Sequence, residues 1–392
     1  MNAPSPYAGL NPRAYWRSGV AERADGDPGD LYQPRFPVTR EMRIMTAGSC
    51  FAQHVGRALR RSGFNVIDAE RLGRHIPDAV AERFGYRQYS ARYGNLYTSR
   101  QLRQLLAEAL GGRIPALPVW RRGDRFFDAQ RPGVEPDGLD SEASVLAHRA
   151  AHLGCVRGAV RQADLFVFTF GLTEAWIHGE TGTVYPTAPG TIAGEFDPEV
   201  FAFRNFDVTE VMADFEAARQ RLKRINPEMR FLVTVSPVPL TATATGRHVE
   251  VATCYSKAVL RAACGMLTEK HEDVDYFPSF EIITSQTAGG RHYEDNLRNV
   301  TAEGVATAMG LFLGAHGVET QGEPTPGIAP AGTGRRRRPR RRQSQAHGVE
   351  TQGEPTPGIA PAGTGRRRRP RRRQSQAEEV ACEEALLEAF SR

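Results

Sequence analysis

Cysteine is scarce in this chain. The five present, Cys50, Cys155, Cys254, Cys264 and Cys382, are odd in number and include no Cys-x-x-Cys pair. That argues against a disulfide framework and against a zinc site of paired cysteines, and it fits a reducing compartment. No cofactor and no metal are expected. Long apolar runs are missing too: nothing approaches the roughly 18 residues of a membrane span. The first residues, Met1 to Pro6, show no basic stretch followed by an apolar one, so no signal peptide is expected. These absences lead to the expectation of a soluble cytoplasmic protein. The bulk of the chain also lacks net charge. The 15 Arg and 9 Glu from Ala315 to Arg392 account for the whole formal charge of +6. The basic pI therefore belongs to that end and does not indicate a nucleic-acid groove in the rest.

What is present is patterned. The chain is 40% hydrophobic, enough for one large domain or two small ones. Residues 1–40 are rich in Pro, Gly and Arg and read as an arm that packs on the domain. The apolar run at Ile44 meets Ala47-Gly48-Ser49, and Phe51, Val55, Ala58 and Leu59 then recur at helical spacing. Strand, tight turn and helix are expected, with Ser49 on the turn. A serine there caps a helix well. The same place, beside free amide groups and a positive dipole end, also suits a nucleophile whose attack makes an oxyanion.

A short strand is expected at 64–67 and helices at about 99–111, 141–162, 208–225, after His248, and at 301–314, with a hairpin within 119–140. Leu165 to Phe170 and Phe231 to Val235 are continuous apolar runs, which belong to strands buried on both faces. Val274 to Phe277 reads as a fourth strand. Alternating buried strands and helices give an α/β doubly wound domain over 41–314, whose ligands sit outside the carboxyl ends of the strands. The Gly-, Pro- and Thr-rich stretch 178–206 reads as an excursion or lid. The aromatic and arginine-rich loop 83–97 reads either as a carbohydrate-stacking wall or as ordinary packing.

Residues 315–345 recur without a single change at 346–376. Each unit is dense in Pro, Gly and Arg and has too little apolar content for a core, so disorder is expected there. Its arginines could take a weak anionic partner. Residues 377–392 read as a short acidic helix or a disordered end.

Several segments together resemble one family. Gly48-Ser49-Cys50-Phe51-Ala52 is similar to the motif that names the GSCFA family, related to SGNH or GDSL-type esterases and acyltransferases. The segments at Tyr93–Thr98, Thr169–Trp176, Val235–Val238, Tyr255–Lys257 and Tyr276–Ile282 resemble it in the same order. The resemblance implies an SGNH-hydrolase-like three-layer α/β fold with a mainly parallel central sheet. It implies a serine hydrolase or O-acyltransferase acting on a small-molecule or glycan acyl ester through an acyl-Ser49. The runner-up is a catalytically inactive glycan-binding or scaffolding protein of that fold.

By the same resemblance, Gly94 and Asn95 correspond to the second block of such enzymes and Gly171 to the third. Together with the Ser49 amide, Gly94 and Asn95 would hold the oxyanion. The third block has Glu174 where an acid substitutes for the usual Gly-x-Asn-Asp pattern, fit to orient a base or bind a hydroxyl. In the last block, Asp295-Asn296-Leu297-Arg298, the usual histidine position is Arg298, which cannot accept a proton near neutral pH. His248, His292 beside Asp295, His54, and Lys257 with a pKa depressed by burial are the candidate bases. Cys50 is a thiol alternative to Ser49, or a small buried residue.

Overall fold

The computed structural model describes residues 5–24, 26–73, 75–318 and 382–391, all within one compact unit. The repeat expected to be disordered, with its suggested anionic partner, lies outside the described residues beyond Val318. The strands are β1 (Ile44–Gly48), β2 (Val119–Arg122), β3 (Arg125–Asp128), β4 (Leu165–Phe170), β5 (Glu174–His178), β6 (Val184–Tyr185), β7 (Phe201–Asn205), β8 (Arg230–Val235) and β9 (Val274–Tyr276). The helices are α1 (Phe51–Arg61), α2 (Asp78–Arg83), α3 (Ser99–Gly111), α4 (Glu142–Gln162), α5 (Val208–Lys223), α6 (Val249–Lys270), α7 (Ser279–Thr284) and α8 (Ala302–Ala315).

The central sheet is parallel and runs β1-β4-β8-β9. Its strands are apolar throughout because both faces are covered. Met45, Ala47, Phe166, Phe168, Phe170, Phe231, Val233 and Val235 point into one core with α3, α4, α5 and α6. Ile44, Leu165, Val167 and Leu232 alternate with them and point into a second core with α1, α7 and α8. Tyr32, Phe36 and Val38 of the N-terminal arm are buried in this second core. The Tyr32 ring meets Phe277 edge-on at 5.2 Å and its hydroxyl donates to Asp275 at 2.9 Å. The helices start where side chains can close them. Thr98 and Asp207 each form a reciprocal capping box with the third helical residue, and Ser141 and Thr301 cap α4 and α8.

Two segments depart from expectation. The strand at 64–67 shrinks to one parallel bridge between Val66 and Ile44, since Phe64 turns into the second core. The stretch 178–206 is no loose excursion: β6, β5 and β7 form an antiparallel sheet in that order. Tyr185 and Phe201 of that sheet pack on Trp120 and Phe127 of the β2–β3 hairpin, a small third core.

With the Val66 bridge counted, the chain leaves β1 first toward one side of the sheet and then returns to β4 on the other. The carboxyl end of β1 is therefore the point where strand order reverses, which is where open α/β sheets place ligands.

A buried ionic cluster ties this framework together. Arg149 of α4 donates through Nε to Glu108 of α3 at 2.6 Å and through Nη1 to Asp128 of β3 at 2.9 Å. All three are nearly inaccessible. Arg149→Ala would leave Glu108 buried without its cation. It should lower unfolding free energy by about 3 kcal/mol, read as an earlier urea midpoint.

Candidate active site

β1 can pair with β4 up to its last residue because that residue is glycine. Gly48 has φ +139°, and a Cβ there would be driven into the backbone oxygen and nitrogen of Thr169. The next amide, that of Ser49, donates to Thr169 O at 3.0 Å. The Ser49 amide is thus committed to the sheet edge, and the expected oxyanion contact from it is not available in this arrangement.

Ser49 does not act as the helix cap. The cap position of α1 is Cys50, with no side-chain capping bond. The Ser49 hydroxyl is buried and has no hydrogen-bond partner among the described residues. Its carbonyl, by contrast, accepts from Ala52 N at 2.9 Å and Tyr89 OH at 3.1 Å. The backbone around the serine is fixed while its hydroxyl is left free.

The loop before α3 brings Gly94, Asn95 and Tyr97 to the same place. Gly94 takes the left-handed conformation (φ +68°) that glycine accepts most readily. Leu96 N donates to Gly48 O at 2.8 Å and ties the loop to β1. The Asn95 side chain is oriented by its oxygen, which accepts from Tyr89 OH and from Gln53 Nε2 at 3.3 Å. That leaves the Asn95 amide as a donor, and it donates to Oε2 of Glu383. The Tyr97 hydroxyl donates to the same oxygen at 2.9 Å. Tyr89, Tyr93 and Tyr97 are all buried, so in loop 83–97 the packing reading holds and no stacking wall forms from these rings.

Gly171 follows β4 and is pressed against the serine. A Cβ on it would lie 2.8 Å from Ser49 Cβ and 3.0 Å from Tyr97 O. Its amide donates to Tyr97 O at 3.0 Å, and so does that of Leu172 at 3.1 Å. Its carbonyl accepts from Lys257 Nζ at 2.6 Å. The neighbouring Ser256 hydroxyl accepts from Thr173 N at 3.0 Å. The Tyr255-Ser256-Lys257 segment of α6 therefore clamps the loop behind the serine. Lys257 is buried, and burial pushes its pKa down to about 8, against the opposing pull of Glu384 and Cys50. It is the candidate base that shares the surroundings of Ser49.

The histidines do not reach the serine hydroxyl. His248 is exposed and caps α6, its Nδ1 accepting from Glu250 N at 3.2 Å. His292 is buried under the start of α8, with Gly304 against its Cβ. Asp295 is exposed. His54 lies one turn into α1, with its ring 5.8 Å from that of Phe51. None of them bonds to Ser49 Oγ. Glu174, at the start of β5, accepts from the Thr243 hydroxyl at 2.7 Å, and burial raises its pKa.

In the turn before α8, the Asn296 side chain accepts from the amides of Arg298 and Asn299 at 3.0 and 2.9 Å. The turn so formed sends the buried Arg298 inward. Its Nη2 donates to Glu384 Oε2 at 3.2 Å and to Cys382 Sγ at 3.6 Å. Cys50 is buried, and its thiol is raised by a hydrogen bond with Cys382 and by burial. That makes it a poor thiolate. Sequence reasoning missed Tyr97 and the residues that orient Asn95, Tyr89 and Gln53. It also missed the arrival of Cys382–Glu384, whose acidity was the one available signal.

Among the described residues no group of three or more His, Cys, Asp or Glu could hold a metal, and no helix is long and apolar enough to cross a membrane. The sequence model of the GSCFA family matches residues 43–312, which covers every crevice residue named above except Cys382–Glu384. No curated protein matches the chain.

The two glycines give a local test. Gly171→Ala should cost about 1–3 kcal/mol through overpacking against Ser49 and Tyr97. Gly48→Ala should cost more, because its Cβ would stand closer still to Thr169 O and its φ of +139° disfavours a side chain. The lowering of each thermal midpoint checks the order.

Proposed function

We propose that this chain, which belongs to the GSCFA family, is a serine esterase or O-acyltransferase whose nucleophile is Ser49 and whose proton acceptor is Lys257. One observation carries the reading. A buried serine whose hydroxyl has no hydrogen-bond partner among the described residues and a buried lysine whose pKa is lowered to about 8 both lie against Gly171, the serine through its Cβ and the lysine through a 2.6 Å bond to the carbonyl. The resemblance of the ordered segments to SGNH-type esterases supports it further. Serine–lysine pairs are a known variant of the serine–histidine arrangement.

The chemistry follows from the groups present. Ser49 Oγ attacks the acyl carbonyl of an ester, and its proton passes to the neutral Lys257 amine. The carbonyl oxygen takes the negative charge. Donors for it are already aimed at one point: the Asn95 amide and the Tyr97 hydroxyl converge on a single carboxylate oxygen of Glu383. Collapse of this intermediate breaks the ester C–O bond, and the Lys257 ammonium returns the proton to the departing alcohol. The acyl-Ser49 is then released to water or to a second hydroxyl, again with Lys257 taking the proton. Arg298 supplies a fixed positive charge rather than base catalysis.

The alternative, a glycan-binding or scaffolding protein without chemistry, rests on Arg298 standing at the base position. A fluorophosphonate probe separates the two readings. Wild type should be labelled and Ser49→Ala should not; an unlabelled wild type overturns the hydrolase reading. The labelling rate should rise by up to about tenfold per pH unit at lower pH and level off as the pH passes the Lys257 pKa, at or below about 8, because only the deprotonated amine accepts a proton. Lys257→Met should flatten that profile and slow labelling by about 10²–10⁴.

A further inference from the structure

The crevice around Ser49 is filled by the chain's own residues Cys382, Glu383 and Glu384. The contacts are specific. Glu383 Oε2 accepts from Asn95 Nδ2 and Tyr97 OH, the two donors aimed beside Ser49. The Glu383 carboxylate also lies against Gly94 and Gly133, where an added Cβ would sit 3.6 and 3.0 Å from Oε1. Glu384 Oε2 accepts from Arg298 at 3.2 Å, an ion pair whose side chains are 13% and 8% exposed. Cys382 Sγ takes the second Arg298 contact at 3.6 Å and stands 3.7 Å from Tyr97 OH.

Two apolar side chains of the segment face solvent. In the short helix Glu383–Ser391, Leu386 and Phe390 are 48% and 67% exposed. The docking is anchored at three residues whose polar atoms meet groups the crevice presents. A site that offers a side-chain amide, a phenol and a guanidinium suits a ligand bearing carboxyl groups.

We infer that the Ser49 crevice is a binding site for a short acidic peptide segment, and that Cys382–Glu384 is the intramolecular occupant that closes it to other ligands until it withdraws. The closure works in two ways. Glu383 takes the donors that an oxyanion would use. Glu384, whose carboxyl burial pushes up to about 8, holds the pKa of Lys257 up where it is ionised. Withdrawal clears the donors and leaves Lys257 more readily neutral in one event. The docking itself stands on contacts alone; only its inhibitory consequence rests on the serine-hydrolase reading.

The test uses the full chain and its Glu383→Ala/Glu384→Ala variant, whose substitutions lie outside the packed cores. The first readout needs no chemistry. A fluorescent peptide of sequence 377–391 is titrated onto each protein and followed by anisotropy. The variant has a vacated crevice and should bind the peptide on the order of tenfold more tightly than wild type, whose tethered segment competes at high effective concentration. Arg298→Ala added to the variant should abolish that binding. Equal binding to wild type and variant, or no binding to the variant, overturns the inference. The second readout is fluorophosphonate labelling of Ser49, expected to be on the order of tenfold faster in the variant. Equal labelling rates in two labelled proteins overturn the closure. Peptide binding as expected, with neither protein labelled, supports the acidic-segment site and sinks the hydrolase reading instead.

Discussion

The site depends on the close approach of two parallel strands at one residue. β1 and β4 stay in register up to Gly48 and Thr169, and only a residue without a side chain lets the backbones meet there. Ser49 then hangs from the sheet edge by its amide, with its carbonyl held by Ala52 and Tyr89. The backbone of the residue has no freedom left, so its hydroxyl is presented from a rigid mount. Rigid placement is what a nucleophile needs, since geometry held in advance lowers the cost of reaching the transition state.

Around that mount, main-chain groups are spent on structure and side chains are left for recognition. The Gly171 amide is used by Tyr97, and its carbonyl by Lys257. Asn95 and Tyr97 supply the donors instead, and Tyr89 and Gln53 fix the orientation of Asn95. A crevice built this way presents polar side chains to whatever enters, which explains why two carboxylates of the same chain find partners in it. Buried carboxylates without partners would be costly. Here each has at least one charged or polar donor.

Much of this was legible in the sequence, for identifiable reasons. The runs Leu165–Phe170 and Phe231–Val235 announce strands covered on both faces, and the structure has β4 and β8 there. Gly48, next to the serine in sequence, and Gly171, which reaches it only in space, each permit a contact a side chain would block. The segment 64–67 failed as a strand because its apolar residues serve a helix-covered core rather than a ladder. The β6-β5-β7 sheet was hidden because the Gly- and Pro-rich segments between its short strands resemble a loop. Among the candidate bases Lys257 had the weakest local signal: it sits mid-helix, and only the fold shows that its amine is buried against Gly171. The occupation of the crevice by Glu383 and Glu384 joins positions nearly three hundred residues apart, beyond what local pattern carries.

The hydrogen bond from Ser49 to Thr169 has a consequence for how the molecule comes into being. Contacts between distant parts of a chain form late, because the intervening loop must first be closed. During synthesis Ser49 emerges early, but its mount is incomplete until β4 has followed. Lys257 and Arg298 join later still, from α6 and from the turn before α8. The nascent chain thus carries the serine without Lys257 beside it through most of its making. The crevice becomes whole only when α6 and the turn before α8 have packed, and residues 382–384 are the next to arrive.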